Sequence, residues 1–214
     1  METIRGRLSH FLDSTELQAR LNPYNRLTLD LGTGDGKFAF CRADAFPSHF
    51  VIGVDSCREN LHEYSRAKLP NLLFIIASAQ SLPHELHGLA SHITINFPWG
   101  SLLESLLNGD DRLLRSLESV AGSSAALDVR LNGGALAEQG WSLEYGAERI
   151  FENLTSAGWN LHKPEMLDSH VLRSFPSTWA KRLAFGRDPR AISGNGTSTR
   201  CRGRSCARPV RSAR

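Results

Sequence analysis

The sequence predicts an α/β fold, a doubly wound sheet built mainly from parallel strands. Apolar runs of strand length alternate with helical stretches along most of the 214 residues. One of these runs, 27–31, leads directly into the glycine turn Gly32, Gly34 and Gly36. Another, 50–54, ends on Asp55, nineteen residues past Gly36, where a second parallel strand would set a carboxylate at its tip.

The elements follow in order. Residues 1–26 are an N-terminal extension with one short helix, 14–21, capped by Asp13 or Ser14 and broken at Asn22-Pro23; it is expected to cover a sheet edge. After strand 27–31 and the glycine turn come a helix at 37–45, strand 50–54, and a helix from Arg58 to about Lys68. The run 72–77 is apolar throughout, as suits a central parallel strand. Strand 92–96, a helix starting at 102–107, strand 125–131, a glycine-rich connection at 132–140, a helix at 146–157 and a strand near 159–162 complete the alternation.

Composition narrows the possible classes. With 41% hydrophobic residues the chain can bury the core of one domain, assigned to 1–192. No apolar run reaches membrane-spanning length and METIRGRLSH has no signal-peptide core, so a cytoplasmic protein is expected. Cys41, Cys57, Cys201 and Cys206 lack zinc spacing, and His84 and His87 stand three apart rather than the four a zincin helix needs, so no metal is expected. Six of the 25 basic residues are arginines beyond Ser193, in a stretch without acids. The remaining 19 stand against 22 acids, a net of −3 for the body. Residues 193–214, rich in Arg, Gly and Ser, are read as a disordered tail that either binds RNA electrostatically or is passive.

The glycine turn excludes two phosphate-binding motifs. A dinucleotide fingerprint needs glycine where Lys37 stands, and a Walker loop needs glycine at Leu31 and Ser or Thr at Phe38. The remaining pattern, Asp30-x-Gly-x-Gly-x-Gly, resembles motif I of the class I S-adenosylmethionine (SAM) methyltransferases, a Rossmann-like fold, with Asp30 placed to meet the methionine ammonium. Asp55 would then meet the ribose diol; the alternative is that it caps the following helix. Ala79 would let adenine pack and Gln80 could reach its polar edge, or the segment is a plain loop. Asn96-Phe97-Pro98-Trp99 resembles the Asn-Pro-Pro-aromatic motif of amino-methyltransferases, with Phe97 replacing the first proline.

Three stretches make the resemblance more specific: DLGTGDGK, FPWGSLLE around Trp99, and WAKRLAFGR from Trp179 to Arg187. Together they resemble the aminoglycoside-resistance 16S rRNA adenine-N1 methyltransferases of the Kam and Npm type, over roughly residues 1–190. The resemblance implies that Trp99 and Trp179 clamp the decoding-site adenine of the 30S subunit, each stacking contact contributing roughly 1–3 kcal/mol. It also implies that Phe97 shapes the pocket, that Ser101 and Ser177 fix SAM or the tryptophans, and that Lys181, Arg182 and Arg187 grip rRNA phosphates. A monomer is expected.

Two departures bear on the transfer. Relatives carry a lysine-rich insertion that contacts rRNA, whereas the segment 65–70 here is short, with only Arg66 and Lys68 basic. Relatives also end in an apolar strand. Here Pro189 replaces an expected basic residue, with Arg190 beside it, and the following Ala-Ile-Ser-Gly leads into the tail. The last strand is therefore expected to be missing or degraded.

Overall fold

The chain begins with a hairpin, β1 (Glu2–Arg5) and β2 (Leu8–Phe11), and helix α1 (Ser14–Leu21), which starts on a capping box between Asp13 and Glu16. The strands β3 (Arg26–Leu31), β4 (His49–Asp55), β5 (Leu72–Ile76), β6 (Ala90–Asn96) and β7 (Ala121–Asn132) then pair in parallel in the order β5-β4-β3-β6-β7. This is the doubly wound sheet expected, with the strand order reversing beside β3. The computed structural model describes residues 1–185 and 189–199; Arg187 and the arginines from position 200 onward lie outside the described residues.

Helix α2 (Lys37–Ala45) follows the glycine turn at its expected bounds. Helices α3 (Gly100–Asn108), α4 (Asp111–Val120), α5 (Gly133–Glu138) and α6 (Leu143–Ser156) connect the later strands. The main core packs around β3, β6 and β7, while Ile4, Ala39, Ala43, Val51, Leu61 and Phe74 form a second cluster. Among the described residues, no helix is long and apolar enough to cross a membrane.

Several expectations need correction. The extension covers the sheet edge as expected, but it does so with an unforeseen hairpin, β1 pairing antiparallel with β5. The helix expected over 58–68 is two short 3₁₀ segments, Arg58–His62 and Tyr64–Arg66; the chain breaks at Glu63 and the buried Ser65 hydroxyl accepts from Gly6 N instead. The glycine-rich connection contains α5, started by Asn132 accepting from Ala135 N.

The largest correction concerns the end of the domain. After β8 (Trp159–Leu161), β9 (Glu165–Leu167), α7 (Ser169–Ser174) and α8 (Thr178–Ala184), the strand β10 (Ala191–Ser198) inserts antiparallel between β7 and β8. The last strand is present, and residues 193–198, assigned to the tail, belong to the sheet. Its sequence looks unlike a strand because its neighbours require glycine. A Cβ at Gly194 would lie 2.0 Å from the Phe151 ring, and one at Gly196 would lie 2.1 Å from Asn160 O. Gly194→Val is expected to cost about 2–3 kcal/mol by overpacking against Phe151, measured by urea unfolding.

Candidate functional site

The carboxyl ends of the central strands surround a cavity of about 370 Å³. Its walls bring together Gly32, Gly34, Asp55, Ala79, Gln80, Phe97, Trp99, Ser101 and Trp179, which the sequence spreads over nearly 150 positions. Ligands in open α/β sheets bind at this edge. Asp30, Gly36 and Asn96 do not line the cavity. Gly36 starts α2 in the left-handed region (φ 82°) and packs on Phe74, whose ring stands 2.5 Å from where a Cβ would be.

Asp30 lies immediately behind the turn, 1% exposed. Its carboxylate accepts from Thr33 Oγ1 (2.5 Å), Thr94 Oγ1 (2.7 Å) and Asn96 Nδ2 (2.9 Å). Burial pushes its pKa above the ordinary carboxylate value, and these hydrogen bonds, with the Arg130 charge, offset this only in part. Asn96 in turn accepts from Arg130 Nη1 (2.9 Å), so its side chain bridges Asp30 and Arg130.

Asp55 projects from the tip of β4. Its Oδ2 accepts from Gly34 N (2.8 Å) and its Oδ1 from Cys57 N (2.9 Å). The following 3₁₀ turn has Cys57 as its N-cap with no side-chain cap, so Asp55 does not serve as a helix cap. It ties the glycine turn to β4 and retains acceptor capacity facing the cavity. Gln80 is turned away from a free role: its Nε2 donates to Ser105 Oγ (2.9 Å) and Ser101 O (3.3 Å).

Phe97 is almost fully buried with φ 52°, a rare conformation for a bulky residue. Its N–H donates to Arg130 O (2.7 Å) and its ring meets Phe175 edge-on at 5.7 Å. Proline, locked near φ −65°, cannot occupy this position. The likeness to the Asn-Pro-Pro-aromatic motif therefore stops at Phe97.

Trp99 and Trp179 meet at the cavity, their ring centroids 5.4 Å apart with a 32° tilt. Trp99 starts α3; Trp179 sits in the first turn of α8 and is 39% exposed. Thr178 Oγ1 donates to Asp35 Oδ2 (2.5 Å), and Phe175 stacks on Phe38 at 5.3 Å, so two contacts seat the start of α8 against the first turn of α2. Ser177, the N-cap of α8, is buried and makes no cap bond with its side chain.

The family model for NpmA, the 16S rRNA (adenine(1408)-N(1))-methyltransferase, matches residues 2–197. The chain belongs to this family. A curated 16S rRNA (adenine(1408)-N(1))-methyltransferase of Escherichia coli is 31% identical over 87% of this chain and 94% of its own length. One from Streptoalloteichus hindustanus is 30% identical over 88% and 94%. The solved 16S rRNA methyltransferase KamB is 28% identical, with a TM-score of 0.83 over 92% of this chain and 99% of that one.

The cavity suits the cosubstrate of such a methyltransferase. A Cβ on Gly34 would meet only Trp179 Nε1, 3.9 Å away, so the turn leaves room for a ligand against its backbone. The Trp99 indole N–H is buried without a hydrogen-bond partner among the described residues.

Of the cationic residues singled out in this methyltransferase, Lys181 and Arg182 are exposed on α8, with the Arg182 guanidinium 5.1 Å from the Trp179 ring centroid. Arg190 is exposed just before β10; Arg66 and Lys68 are exposed beside the N-terminal hairpin, away from the cavity walls. Sequence reasoning missed Thr33, Thr94, Asp35, Thr178, Arg130 and Phe175. Arg130 alone left a signal, as a lone cation in an apolar strand, and the register pairs it with Asn96.

These bonds set the expected behaviour of two variants. Because protonation of Asp30 stabilises the fold until the pH rises through its raised pKa, Asp30→Asn should hold or raise the melting temperature of the ligand-free protein at pH 8. The same variant should weaken rather than abolish the thermal shift given by SAM, since Asp30 stands behind the turn and off the cavity wall; thermal-shift titrations check both. Thr178→Val removes a hydrogen bond to a carboxylate, about 1.5–3 kcal/mol, and should speed amide exchange in α8 at least tenfold while leaving the central strands protected.

Proposed function

We propose that the chain methylates N1 of the decoding-site adenine of 16S rRNA in the 30S subunit, using SAM, and so confers aminoglycoside resistance. The observation that carries this reading is the meeting of Trp99 and Trp179 over a cavity lined by Gly34 and Asp55, in a member of the adenine-N1 methyltransferase family.

Bound SAM supplies an electrophilic methyl group on its sulfonium. Asp55 and the glycine turn would hold its polar ends, Asp30 would act from behind the turn through Thr33, Ser101 would line the space between and Ser177 would brace α8. Adenine N1 carries an in-plane lone pair, so the residues have only to align it, and a general base is not required. The indole faces supply stacking and favour the positive charge that arrives on the ring with the methyl group. Flipping the adenine out is repaid in part by this stacking.

The tryptophans as they stand leave no room for that base. A ring sandwiched at van der Waals contact needs about 7 Å between its flanking planes, twice the roughly 3.5 Å carbon contact distance. The observed 5.4 Å requires Trp179, the more exposed of the two, to swing outward with the start of α8. Lys181 and Arg182 lie on the same helix and would draw it toward rRNA phosphates as the base enters.

An exocyclic amine is a poorer substrate for this site. Asn96, which would hold such an amine, lies off the cavity wall with its side chain bonded to Asp30 and Arg130. The chain is proposed to act in the cytoplasm as a monomer.

Primer extension on 16S rRNA from expressing cells should stop at the decoding adenine, and read-through would refute the assignment. Trp179→Ala should lower kcat/KM for 30S roughly 10- to 100-fold, the loss of one or two stacking interactions, with SAM affinity retained.

A further inference from the structure

Strands β6 and β7 are apolar on one face only. Ile93, Ile95, Leu127 and Val129 alternate into the main core, which turns His92, Thr94, Asn96, Asp128 and Arg130 toward the face that carries α2. Inner strands of a parallel sheet are usually apolar on both faces, so this polar stripe is exceptional. Thr94 and Asn96 serve Asp30. Beside them His92, Asp128 and Arg130 line a recess of about 210 Å³, with Arg42 of α2 and the segment Phe175-Pro176 on its other walls. It shares no lining residue with the cavity beside the glycine turn.

The recess holds more positive charge than it neutralises. Asp128 Oδ2 faces both His92 Nε2 (3.2 Å) and Arg130 Nη2 (3.3 Å). Arg130 gives one further N–H to Asn96, so only two of its five donors are used. Arg42 forms no ion pair with a described residue; its guanidinium lies 4.4 Å from the Phe46 ring centroid, and its Nε is buried without a hydrogen-bond partner among the described residues. Burial draws the Arg42 pKa below its ordinary value; Asp128 opposes this, while Arg130 and Arg26 add to it. One carboxylate thus stands against two guanidinium groups, one of which has a buried donor unused.

We propose that this recess binds one small phosphate-type oxyanion between Arg42 and Arg130. Guanidinium groups offer donors alone, in a planar fork that matches the oxygens of such an ion. The volume is below the roughly 300 Å³ at which pockets for whole small molecules begin, so a single ion fits and a nucleotide does not. The side chains of His92 and Asp128 are 19% and 23% exposed, which suits a free ion better than a polymer backbone. Phe175 and Pro176 lead directly into Ser177, the N-cap of α8, and the Arg130 guanidinium lies 4.9 Å from the Phe175 ring centroid. An ion held here would pin the segment from which Trp179 projects. Neither the ion nor its hold on α8 depends on which RNA is methylated.

The test titrates inorganic phosphate into the full-length, SAM-free protein by calorimetry, at a fixed ionic strength made up with sodium chloride, and repeats the titration with acetate. Wild type is compared with Arg42→Met, Arg42→Lys and a surface control of equal charge change, Arg112→Met, all checked for unchanged melting temperature in chloride. Phosphate should bind wild type and the control alike. Arg42→Met should weaken it at least about tenfold, the loss of a charge-assisted hydrogen bond, and Arg42→Lys should fall between. Amide exchange at the start of α8 should slow about tenfold in wild type at ten times the phosphate Kd, and not in Arg42→Met. Heats no different from those of chloride, or equal binding by wild type and Arg42→Met, overturn the site. Acetate binding tighter than phosphate overturns the ligand class. Phosphate binding with unchanged exchange in α8 supports the site and overturns its hold on the helix.

Discussion

A buried carboxylate governs the arrangement of this molecule. Asp30 sits at the end of β3, where the sheet order reverses, and it is stripped of water yet held by donors from the glycine turn and from β6. An uncompensated charge there would be costly, so its neighbours are fixed by the need to satisfy it. The bonds continue through Asn96 to Arg130, whose guanidinium lies 4.9 Å from the centroid of the Phe175 ring. Phe175 stacks on Phe38 in the first turn of α2 and touches Phe97. The carboxylate behind the donor cavity and the segment that carries Trp179 are therefore parts of one packed and bonded set.

The same set explains how an exposed helix can be positioned without being locked. α8 rests on Asp35 through a single hydroxyl, and its buried Ala180 shares a small cluster with Phe97, Leu172 and Ala191. That cluster is far smaller than the main core, so displacing it costs correspondingly little. A rigid cavity floor with a lightly seated upper wall would suit the base capture proposed above.

How much of this was legible in the sequence depended on the kind of signal. The parallel strands read clearly because each is an apolar run bounded by a turn, and the glycine turn with Asp55 located the cavity. Trp99 and Trp179 were found through motif likeness, since nothing in their spacing shows that they meet. The hairpin at 2–11 was hidden because Leu8 and Phe11, on opposite faces of β2, are both exposed, so the strand lacks the alternation of one buried and one solvated face. β10 was hidden because Gly194 and Gly196 answer to Phe151 and Asn160, partners far away in sequence. The supports of α8 escaped for the same reason: Asp35 and Thr178 are 143 positions apart, and neither residue type announces the other.

The insertion of β10 between β7 and β8 constrains the order of assembly. β7 and β8 are made before β10, and they cannot be joined until that strand, near the end of the described chain, has been synthesised and slotted between them. Ala191 at its start also anchors the cluster beneath Trp179. Long-range closure of this kind is slow and comes last. A nascent copy still tethered to its ribosome would thus lack the support beneath Trp179 until most of the polypeptide has emerged.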